Sequence, residues 1–382
     1  MVSVRMASIQ ESTTLKISAM AKRLAAAGQD IIDMGVGEPD FDTPKHIVEA
    51  GCSSIRMGET RYAPTAGIPE LRRIIADKLC WENQLSVTAD DIAVTPGAKM
   101  AVFAAISALL DEGDECLLIG PSWVSYEPCV AFAGGRVVWG AVDEDFMPIN
   151  LAESITAKTR LIIVNSPSNP TGSVFDRRVL EEIRDLAIDH NLYALSDEIY
   201  EKIIYDRRHI SLGSLPGMES RTVTINGFSK AYAMTGWRLG YLAGPKEIMK
   251  WVTRLLSHSV SQATTFVQRA GVAAMQGPQE EVAVMTAEFK ARRDLLVKGL
   301  NDLGIPCSVP GGAFYAFPNV SENGGGDAFT DRLLKEAMIA ATPGSAFGPG
   351  GADYVRLSYA TSQARIRQAL ERIEKIVKLS SI

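Results

Sequence analysis

Short apolar runs rich in β-prone residues alternate with helical stretches between residues 90 and 245. The stretch Val179–Ile188, for example, repeats its apolar positions at helical spacing. Such alternation is typical of a mostly parallel sheet covered by helices on both faces, with ligands at the carboxyl ends of the strands. Seven strands are predicted: Ile92–Thr95, Cys116–Ile119, Arg136–Trp139, Leu161–Val164, Leu192–Leu195, Thr222–Ile225 and Leu239–Ala243.

The pattern changes after this region and indicates a second, smaller α/β unit. Its predicted elements are the helix Ile17–Ala27, the long charged helix Met285–Leu303, the strands Ala313–Phe317 and Tyr354–Tyr359, and the closing helix Ser362–Lys378. Because one of these helices is N-terminal, the small domain is expected to be discontinuous. We predict a large domain over residues 46–287 and a small domain over residues 1–45 and 288–382.

The composition is that of an ordinary globular protein, with 382 residues, 46% apolar and 22% charged. A net charge of −6 and a pI near 5.5 disfavour nucleic acid as a partner, because phosphate backbones are bound by basic surfaces. No apolar run reaches the length of a membrane span, and no signal-peptide core is present. Five cysteines without CxxC spacing fit reduced thiols, and four scattered histidines argue against a metal site. We therefore expect a cytoplasmic protein with no nucleic-acid, membrane or metal partner.

The most informative residues follow the predicted strand Thr222–Ile225. Lys230 lies there on a turn of small residues, and Arg238 follows eight residues later between Gly236 and Gly240. A lone lysine at such a place is more often a solvated charge, but the nearby guanidinium suggests a reactive amine beside a phosphate clamp. That pair is what pyridoxal phosphate (PLP) requires: a Schiff-base lysine and a planar cation for its phosphate.

Two other polar residues stand at predicted strand ends. Asp197 follows the strand Leu192–Leu195, where it suits either a partner for the pyridine nitrogen of PLP or a helix N-cap. Asn169 lies in a proline-rich turn, which on its own would indicate only a turn. A cis peptide bond is expected before Pro170.

A third strand end, Pro96–Lys99, joins the strand Ile92–Thr95 to an almost wholly apolar helix, Met100–Leu110. Small residues at a helix start expose backbone N–H groups, and the helix dipole favours an anion there. The turn therefore fits a phosphate cradle formed by amides of Gly97, Ala98 and Lys99. A plain β–α turn is the alternative.

Several long motifs, from Gly37-Glu38-Pro39-Asp40-Phe41 to Arg356-Leu357-Ser358-Tyr359, cover nearly the whole chain. With them the sequence resembles the class I and II PLP-dependent aminotransferases, close to the bacterial aspartate aminotransferases. The resemblance implies an α/β protein of PLP fold type I, with the seven-stranded sheet in its large domain. It also implies the cofactor PLP, amino acid and keto acid substrates, and a homodimer.

The resemblance assigns roles around the cofactor. The implied cofactor-binding residues are Gly97, Ala98, Lys99, Trp123, Asn169, Asp197, Tyr200, Ser229, Lys230, Arg238 and, in the neighbouring subunit's site, Tyr62. Lys230 would carry the proton between the substrate Cα and the cofactor, and Asp197 would keep the pyridine nitrogen protonated. Tyr200 and Asn169 would hydrogen-bond the phenolic oxygen. Trp123 would stack on the ring; by itself it is only an aromatic after a strand.

The resemblance also assigns the substrate contacts. The implied set is Gly37, Trp123, Asn169, Arg356, Lys99 and Ser12. Arg356 alone, in an alternating strand, would be expected to face solvent, but the resemblance makes it the clamp for the α-carboxylate. Lys99, helped by Ser12, would bind the distal carboxylate of aspartate or glutamate; the alternative is a solvated lysine. Many relatives carry a phosphate-binding serine where this chain has Gly227, and Ser229 is the candidate replacement.

The leading hypothesis is an aminotransferase that uses L-aspartate and 2-oxoglutarate in a ping-pong cycle. Aromatic amino acids or prephenate stay open as substrates, and so does a PLP-dependent lyase or decarboxylase on the same fold. Arg356 together with Lys99 favours transamination, since lyases often lack one of the two carboxylate binders. A PLP-binding regulator is disfavoured by the intact set of site residues, and a nicotinamide dehydrogenase by the missing G-x-G-x-x-G motif.

Overall fold

The computed structural model describes residues 13–379 together with Met6, Ile9 and Glu11. The strands are β1 Ile32–Asp33, β2 Ile92–Thr95, β3 Glu115–Ile119, β4 Arg136–Val142, β5 Pro148–Ile149, β6 Thr159–Asn165, β7 Tyr193–Asp197, β8 Thr222–Gly227, β9 Gly240–Ala243, β10 Tyr315–Ala316, β11 Ile339–Ala340, β12 Thr342–Pro343 and β13 Val355–Ser358. Eight of them form one sheet in the order β2-β9-β8-β7-β6-β3-β4-β5.

This sheet is mostly parallel, as the β–α alternation predicts. β8, β7, β6, β3 and β4 pair in parallel, while β9 is antiparallel to both β2 and β8. All seven predicted strands are present. The eighth, β5, is a two-residue antiparallel edge strand, too short to leave a periodic pattern in the sequence.

Four strands run further toward their carboxyl ends than the apolar pattern predicts: β4 to Val142, β6 to Asn165, β7 to Asp197 and β8 to Gly227. β7 includes Asp197, which pairs with Asn165 of β6 and with Ile225 of β8. β8 continues to Gly227, which pairs with Gly240. Backbone pairing continues past the last apolar side chain, so the strand ends carry the polar groups of the site.

The helices are α1 Thr13–Ala26, α2 Lys45–Arg56, α3 Pro69–Glu82, α4 Ala98–Leu109, α5 Tyr126–Ala133, α6 Arg177–Asp189, α7 Lys246–Ser259, α8 Thr265–Gln276, α9 Glu280–Asp302, α10 Gly326–Ala337 and α11 Gln363–Leu379. α6 shows why they form: Asp176 caps its first turn by accepting from the Val179 N–H at 3.0 Å. Its buried positions, Leu180, Ile183 and Ala187, recur at helical spacing.

Helices cover the sheet on both faces. Leu117 and Ile162 point to the face packed by α6, whereas Leu118 and Ile163, one residue further along, point to the face packed by α4 and α7. Strands buried on both faces need continuous apolar runs, and this is why the sequence shows runs rather than strict alternation. None of the helices of the described chain is long and apolar enough to cross a membrane.

A second, smaller unit has its own core. β10, β13 and β12 form a three-stranded antiparallel sheet, and β1 pairs with β11 in parallel. Phe289 of α9, Phe314, Val355 and Ile366 of α11 lie together in this core. The unit thus combines β1, near the start of the described chain, with elements after residue 313. The domain bounds stay a prediction, and α9 runs without interruption across position 287.

Candidate active site

One cavity of about 370 Å³ lies at the carboxyl ends of β6, β7 and β8. The small unit closes it from the other side. The structure brings these predicted residues to its wall: Gly37, Ala98, Lys99, Trp123, Asn169, Asp197, Tyr200, Ser229, Lys230, Arg238 and Arg356. Ser12 lies outside the described residues. Residues that converge from several separate strands, loops and helix ends make this the candidate active site.

Lys230 is half-buried and lies three residues past the end of β8. Its Nζ donates to the carbonyl oxygen of Gly37 at 2.5 Å, and the rings of Tyr200 and Phe314 lie 5.9 Å and 5.7 Å away. Burial lowers the pKa of Lys230 to about 8, and the positive charge of Arg356 acts in the same direction, although Glu38 opposes it. The solvated alternative is therefore wrong, and a large fraction of the amine is neutral near pH 8.

Asp197 points into the cavity from the end of β7. Tyr126 donates its hydroxyl to Asp197 Oδ2 at 2.7 Å, and the Ile199 N–H donates to Oδ1 at 3.2 Å. Burial raises the pKa of Asp197 to about 6 against the pull of these two bonds, so the carboxylate stays mostly ionised at neutral pH. Turns follow Asp197, not a helix, so the N-cap alternative is wrong.

The N-terminus of α4 forms a narrow cradle opposite Lys230. Gly97 caps the helix with φ +82°, and a Cβ built on it would lie 2.5 Å from Arg238 Nη2. Arg238 itself adopts φ +57°, a strained conformation for a non-glycine residue, and donates to the Thr235 carbonyl oxygen at 2.8 Å. The strain places a guanidinium beside free helix amides, which is an anion-binding arrangement. Ser229 is buried at the same end.

Two asparagines hold the β6–α6 turn against the cavity. Asn165 donates to the Asp197 carbonyl oxygen at 3.0 Å and accepts from the Asn169 N–H at 2.8 Å. The peptide bond before Pro170 is cis, as expected. Trp123 stands edge-on to Tyr126, with ring centroids 5.2 Å apart.

Arg356 is the most unusual charge in the cavity, because it is 2% exposed and has no carboxylate partner among residues 13–379. Its Nη1 donates to Asn169 Oδ1 at 2.9 Å and its Nη2 to the Gly35 carbonyl oxygen. Its Nε makes no hydrogen bond within the described chain. The solvent-facing alternative is wrong, and burial lowers the pKa of Arg356 from its usual high value. A buried cation with an unused donor suits an incoming carboxylate.

Lys99 lies in the first turn of α4, with its Nζ 5.0 Å from the centre of the Trp123 ring. Burial lowers its pKa, as does the charge of Arg238. Lys99 is nevertheless an exposed residue at the cavity wall, so both the ligand-binding role and the solvated alternative stay predictions. α1 contributes Thr14, Ser18 and Lys22 to the same wall.

Several residues of the site were missed by the sequence interpretation. Tyr126, Asn165, Tyr315 and the α1 face of Thr14, Ser18 and Lys22 all line the cavity. The spacing of four residues between 14, 18 and 22 was a usable signal for a shared helix face. Nothing in the local sequence indicated that Tyr315 would line the cavity. Tyr62, by contrast, is 90% exposed and lies away from the cavity of its own chain.

The doubly covered sheet and the lysine-containing cavity define a transferase of PLP fold type I. The sequence model of the family "Aminotransferase class I and II" matches residues 29–373, and the chain belongs to that family. Because it belongs to this family, the chain is an aminotransferase. Members of the family depend in general on PLP.

Relatives agree over nearly the full length. The aspartate aminotransferase of Pyrococcus abyssi is 43% identical over 364 residues, 93% of this chain and 94% of the relative. The aspartate/prephenate aminotransferase of Thermus thermophilus is 41% identical over 380 residues, 98% of each chain. A solved structure titled as aspartate aminotransferase from Thermus thermophilus with maleate has a TM-score of 0.95, at 41% identity, and covers 98% of this chain and 99% of its own.

Proposed function

We propose that this aminotransferase uses PLP to move an amino group between L-aspartate, or a related amino acid, and 2-oxoglutarate. One observation carries the proposal: the amine of Lys230, the carboxylate of Asp197 and the guanidinium of Arg356, which has no carboxylate partner in the described chain, line a single cavity. The names of the relatives, aspartate and aspartate/prephenate aminotransferases, support the substrate class.

The residues present fit PLP at each of its polar groups. The cradle at Gly97 leaves the Arg238 guanidinium with no carboxylate partner in the described part of the chain, as a phosphate would require. We propose that Arg238, Ser229 and the amides of Ala98 and Lys99 hold this phosphate.

The other end of the cavity suits the cofactor ring. Asp197, mostly ionised, would pair with the ring nitrogen, and Tyr200 and Asn169 would hydrogen-bond the phenolic oxygen. Trp123 would pack on the ring face. When bound, PLP supplies an electron sink for the pair of electrons released at the substrate Cα.

The protein side of the reaction is a proton transfer by Lys230. Its Nζ would take the proton from the substrate Cα and deliver it to the C4′ atom of the bound cofactor, and would move a proton in the reverse direction in the second half-reaction. The pKa of about 8 suits an amine that must both accept and release a proton near neutral pH. The Gly37 carbonyl oxygen, which accepts from Nζ at 2.5 Å, orients the amine.

Two cations would select the substrate. Arg356 would bind the α-carboxylate through the part of its guanidinium that lines the cavity. Lys99, across the cavity, would bind the distal carboxylate, which makes dicarboxylic amino and keto acids the preferred class. The same two cations serve donor and acceptor, so the products of the first half-reaction must leave before the second begins.

The test is an absorbance spectrum of the purified, PLP-loaded protein before and after L-aspartate is added without a keto acid. We expect a visible band that disappears with aspartate and returns with 2-oxoglutarate. The Lys230→Ala variant, as control, should bind PLP yet keep its visible absorbance after aspartate is added, because the proton carrier is missing. A band that ignores aspartate but responds to phenylalanine would replace the dicarboxylate assignment, and the absence of any band after PLP addition would contradict the cofactor.

Prephenate is the second candidate substrate, because one relative is named for both aspartate and prephenate. It carries carboxylates at two ends, and the same pair of Arg356 and Lys99 would suit it. Comparing kcat/KM for prephenate and 2-oxoglutarate as amino acceptors separates the two. A homodimer with shared sites and a cytoplasmic location also remain part of the proposal.

A further inference from the structure

Tyr315, a buried residue of β10, touches three functional groups of the cavity. Its hydroxyl lies 2.8 Å from the hydroxyl of Tyr200. Its ring centre lies 4.6 Å from the guanidinium carbon of Arg356. A Cβ built on Gly37, the residue whose carbonyl accepts from Lys230, would come within 2.2 Å of the same hydroxyl.

We propose that Tyr315 is a positioning residue that acts through its hydroxyl on Tyr200 and through its ring on Arg356. The proposal rests on the proposed function, since Tyr200 and Arg356 matter only if they bind the cofactor and the substrate. Tyr315 joins these two partners across the border between the sheet and the small unit. It thereby links the group that binds cofactor to the group that binds substrate.

The hydroxyl argument follows from counting protons. Tyr200 has one hydroxyl proton, and to donate it to a ligand in the cavity its oxygen must accept from elsewhere. Within residues 13–379, Tyr200 is the only hydrogen-bond partner found for the Tyr315 hydroxyl. Either hydroxyl can donate in this pair. With a cofactor oxygen accepting from Tyr200, the Tyr315 proton would go to Tyr200 and leave the Tyr200 proton for the cavity. In a buried pair this polarisation strengthens the second donor.

The ring argument concerns Arg356. Its guanidinium lies between the rings of Tyr315 and Phe347, at 4.6 Å and 5.0 Å from their centres. Aromatic faces attract a desolvated cation without occupying its hydrogen-bond donors. The charge therefore stays buried and oriented without a carboxylate partner in the described chain. A carboxylate partner would have held Arg356 equally well, but it would have competed with the substrate.

The geometry also explains why residue 37 is a glycine. Any side chain there would displace the Tyr315 hydroxyl, because even a Cβ would stand 2.2 Å from it. Glycine at this position thus admits the tyrosine as well as the ligand. The Tyr315 hydroxyl is thus the point at which loop 35–38, β10 and the turn after β7 meet.

The first test is Tyr315→Phe, which removes the hydroxyl and keeps the ring. In the PLP-loaded protein, the pH midpoint of the visible band should move upward by about half a unit, because a weaker Tyr200 donor stabilises the deprotonated chromophore less. The KM for 2-oxoglutarate should stay within about twofold of the wild-type value, since the ring still faces Arg356.

The second test is Tyr315→Leu, which removes the ring as well. The KM for 2-oxoglutarate should rise about tenfold with a smaller change in kcat, because Arg356 loses one of its two aromatic faces. The matched control is Tyr359→Phe, which removes a buried hydroxyl 3.3 Å from the Ala313 carbonyl oxygen and outside the cavity wall. It should leave the midpoint and the KM unchanged, and thermal melting of each apoprotein reports any loss of folding.

A Tyr200→Phe/Tyr315→Phe double variant separates coupling from a general effect. If Tyr315 acts through Tyr200, the double variant has the midpoint of Tyr200→Phe alone. Additive shifts, or a wild-type midpoint in Tyr315→Phe, would overturn the hydroxyl role, and an unchanged KM in a folded Tyr315→Leu would overturn the ring role. In either case the wild-type spectrum and its response to aspartate still report on the proposed function separately.

Discussion

Lys230 shows how a residue acquires reactivity from its surroundings. A lysine in water has a pKa near 10.4 and is almost wholly protonated at neutral pH. In the cavity, burial and the charges of Arg356 and Arg238 bring the pKa of Lys230 to about 8. The cations that would bind carboxylate and phosphate thus also keep the amine partly neutral.

This pKa predicts how PLP loading depends on pH. Only the neutral amine attacks an aldehyde, so the loading rate of the apoprotein should rise about tenfold per pH unit below pH 8 and level off above it. The rate of appearance of the visible band after mixing with PLP measures it. A rate that keeps rising to about pH 10 would mean that Lys230 titrates as an ordinary solvated lysine.

Tyr126 is the residue that keeps Asp197 ionised. Its hydroxyl donates at 2.7 Å to a carboxylate whose pKa burial has already raised to about 6. Hydrogen bonds to the charged form lower a carboxyl pKa, so removing this one should raise the pKa of Asp197 further.

Tyr126→Phe should therefore move the acidic limb of the kcat–pH profile upward from its wild-type position, with little change above about pH 8. A buried carboxylate oxygen that loses its donor also destabilises the fold by about 1–3 kcal/mol. Steady-state kinetics across pH and urea unfolding measure the two effects. Tyr232→Phe is the control, because its hydroxyl bonds Gln279 at 3.1 Å outside the cavity and should not move the limb.

At the scale of elements, the N-terminus of α4 combines three contributions to anion binding. The helix presents free N–H groups, Gly97 turns the chain with a positive φ, and the strained Arg238 brings its guanidinium to the same point. Gly240 completes the arrangement, because a Cβ there would lie 2.4 Å from the Ala98 nitrogen.

Gly97→Ala should weaken PLP binding about tenfold or more, and destabilise the apoprotein by about 1–2 kcal/mol, because a side chain at positive φ is strained and this one collides with Arg238. PLP titration and thermal melting measure the two effects. Gly113→Ala is the matched control: its φ is +89°, but nothing lies within 4 Å of the added Cβ. Equal losses of PLP affinity in both variants would show that backbone strain alone is responsible.

At the scale of the whole molecule, the cavity exists only where the two units meet. Lys230 and Asp197 come from the sheet, while Gly37, Tyr315 and Arg356 come from the small unit. Arg292 of α9 fastens the junction: it bonds Asp40 at 2.6 Å, next to the loop that carries Gly37. Movement of one unit on the other would change the distance between the proton carrier and the carboxylate clamp.

Tyr62 is 90% exposed, and its predicted role also concerns the whole molecule, because it involves a neighbouring subunit. If it reaches a neighbouring subunit's phosphate, Lys230→Ala and Tyr62→Ala subunits should complement each other. A hybrid C₂ dimer has one intact site of its two, so purified hybrids should show about half of the wild-type activity per subunit. Activity of purified hybrids at limiting PLP is the measurement. Absence of recovery in hybrids of confirmed composition would contradict a shared site.

Much of the fold could be predicted because it depends on local patterning. The buried strands read as apolar runs, α6 read as an amphipathic helix, and seven of the eight strands of the main sheet were located. Two-residue strands such as β5 and β12 were not, because they lie below the length at which periodicity appears. Some predicted strands also ended too early where the last residues are polar, because backbone pairing does not need apolar side chains.

By itself, the sequence determined the α/β class, the strand ends that carry Lys230 and Asp197, and the lysine–arginine pair that indicated PLP. These follow from residue order and hydrophobic period, which are local properties. Only the tertiary structure decided that Arg356 is buried between two rings, that Tyr126 donates to Asp197, and that Tyr315 meets Tyr200. The two hydrogen bonds join residues 71 and 115 positions apart. The desolvation that sets the pKa of Lys230 depends on all the surrounding elements at once.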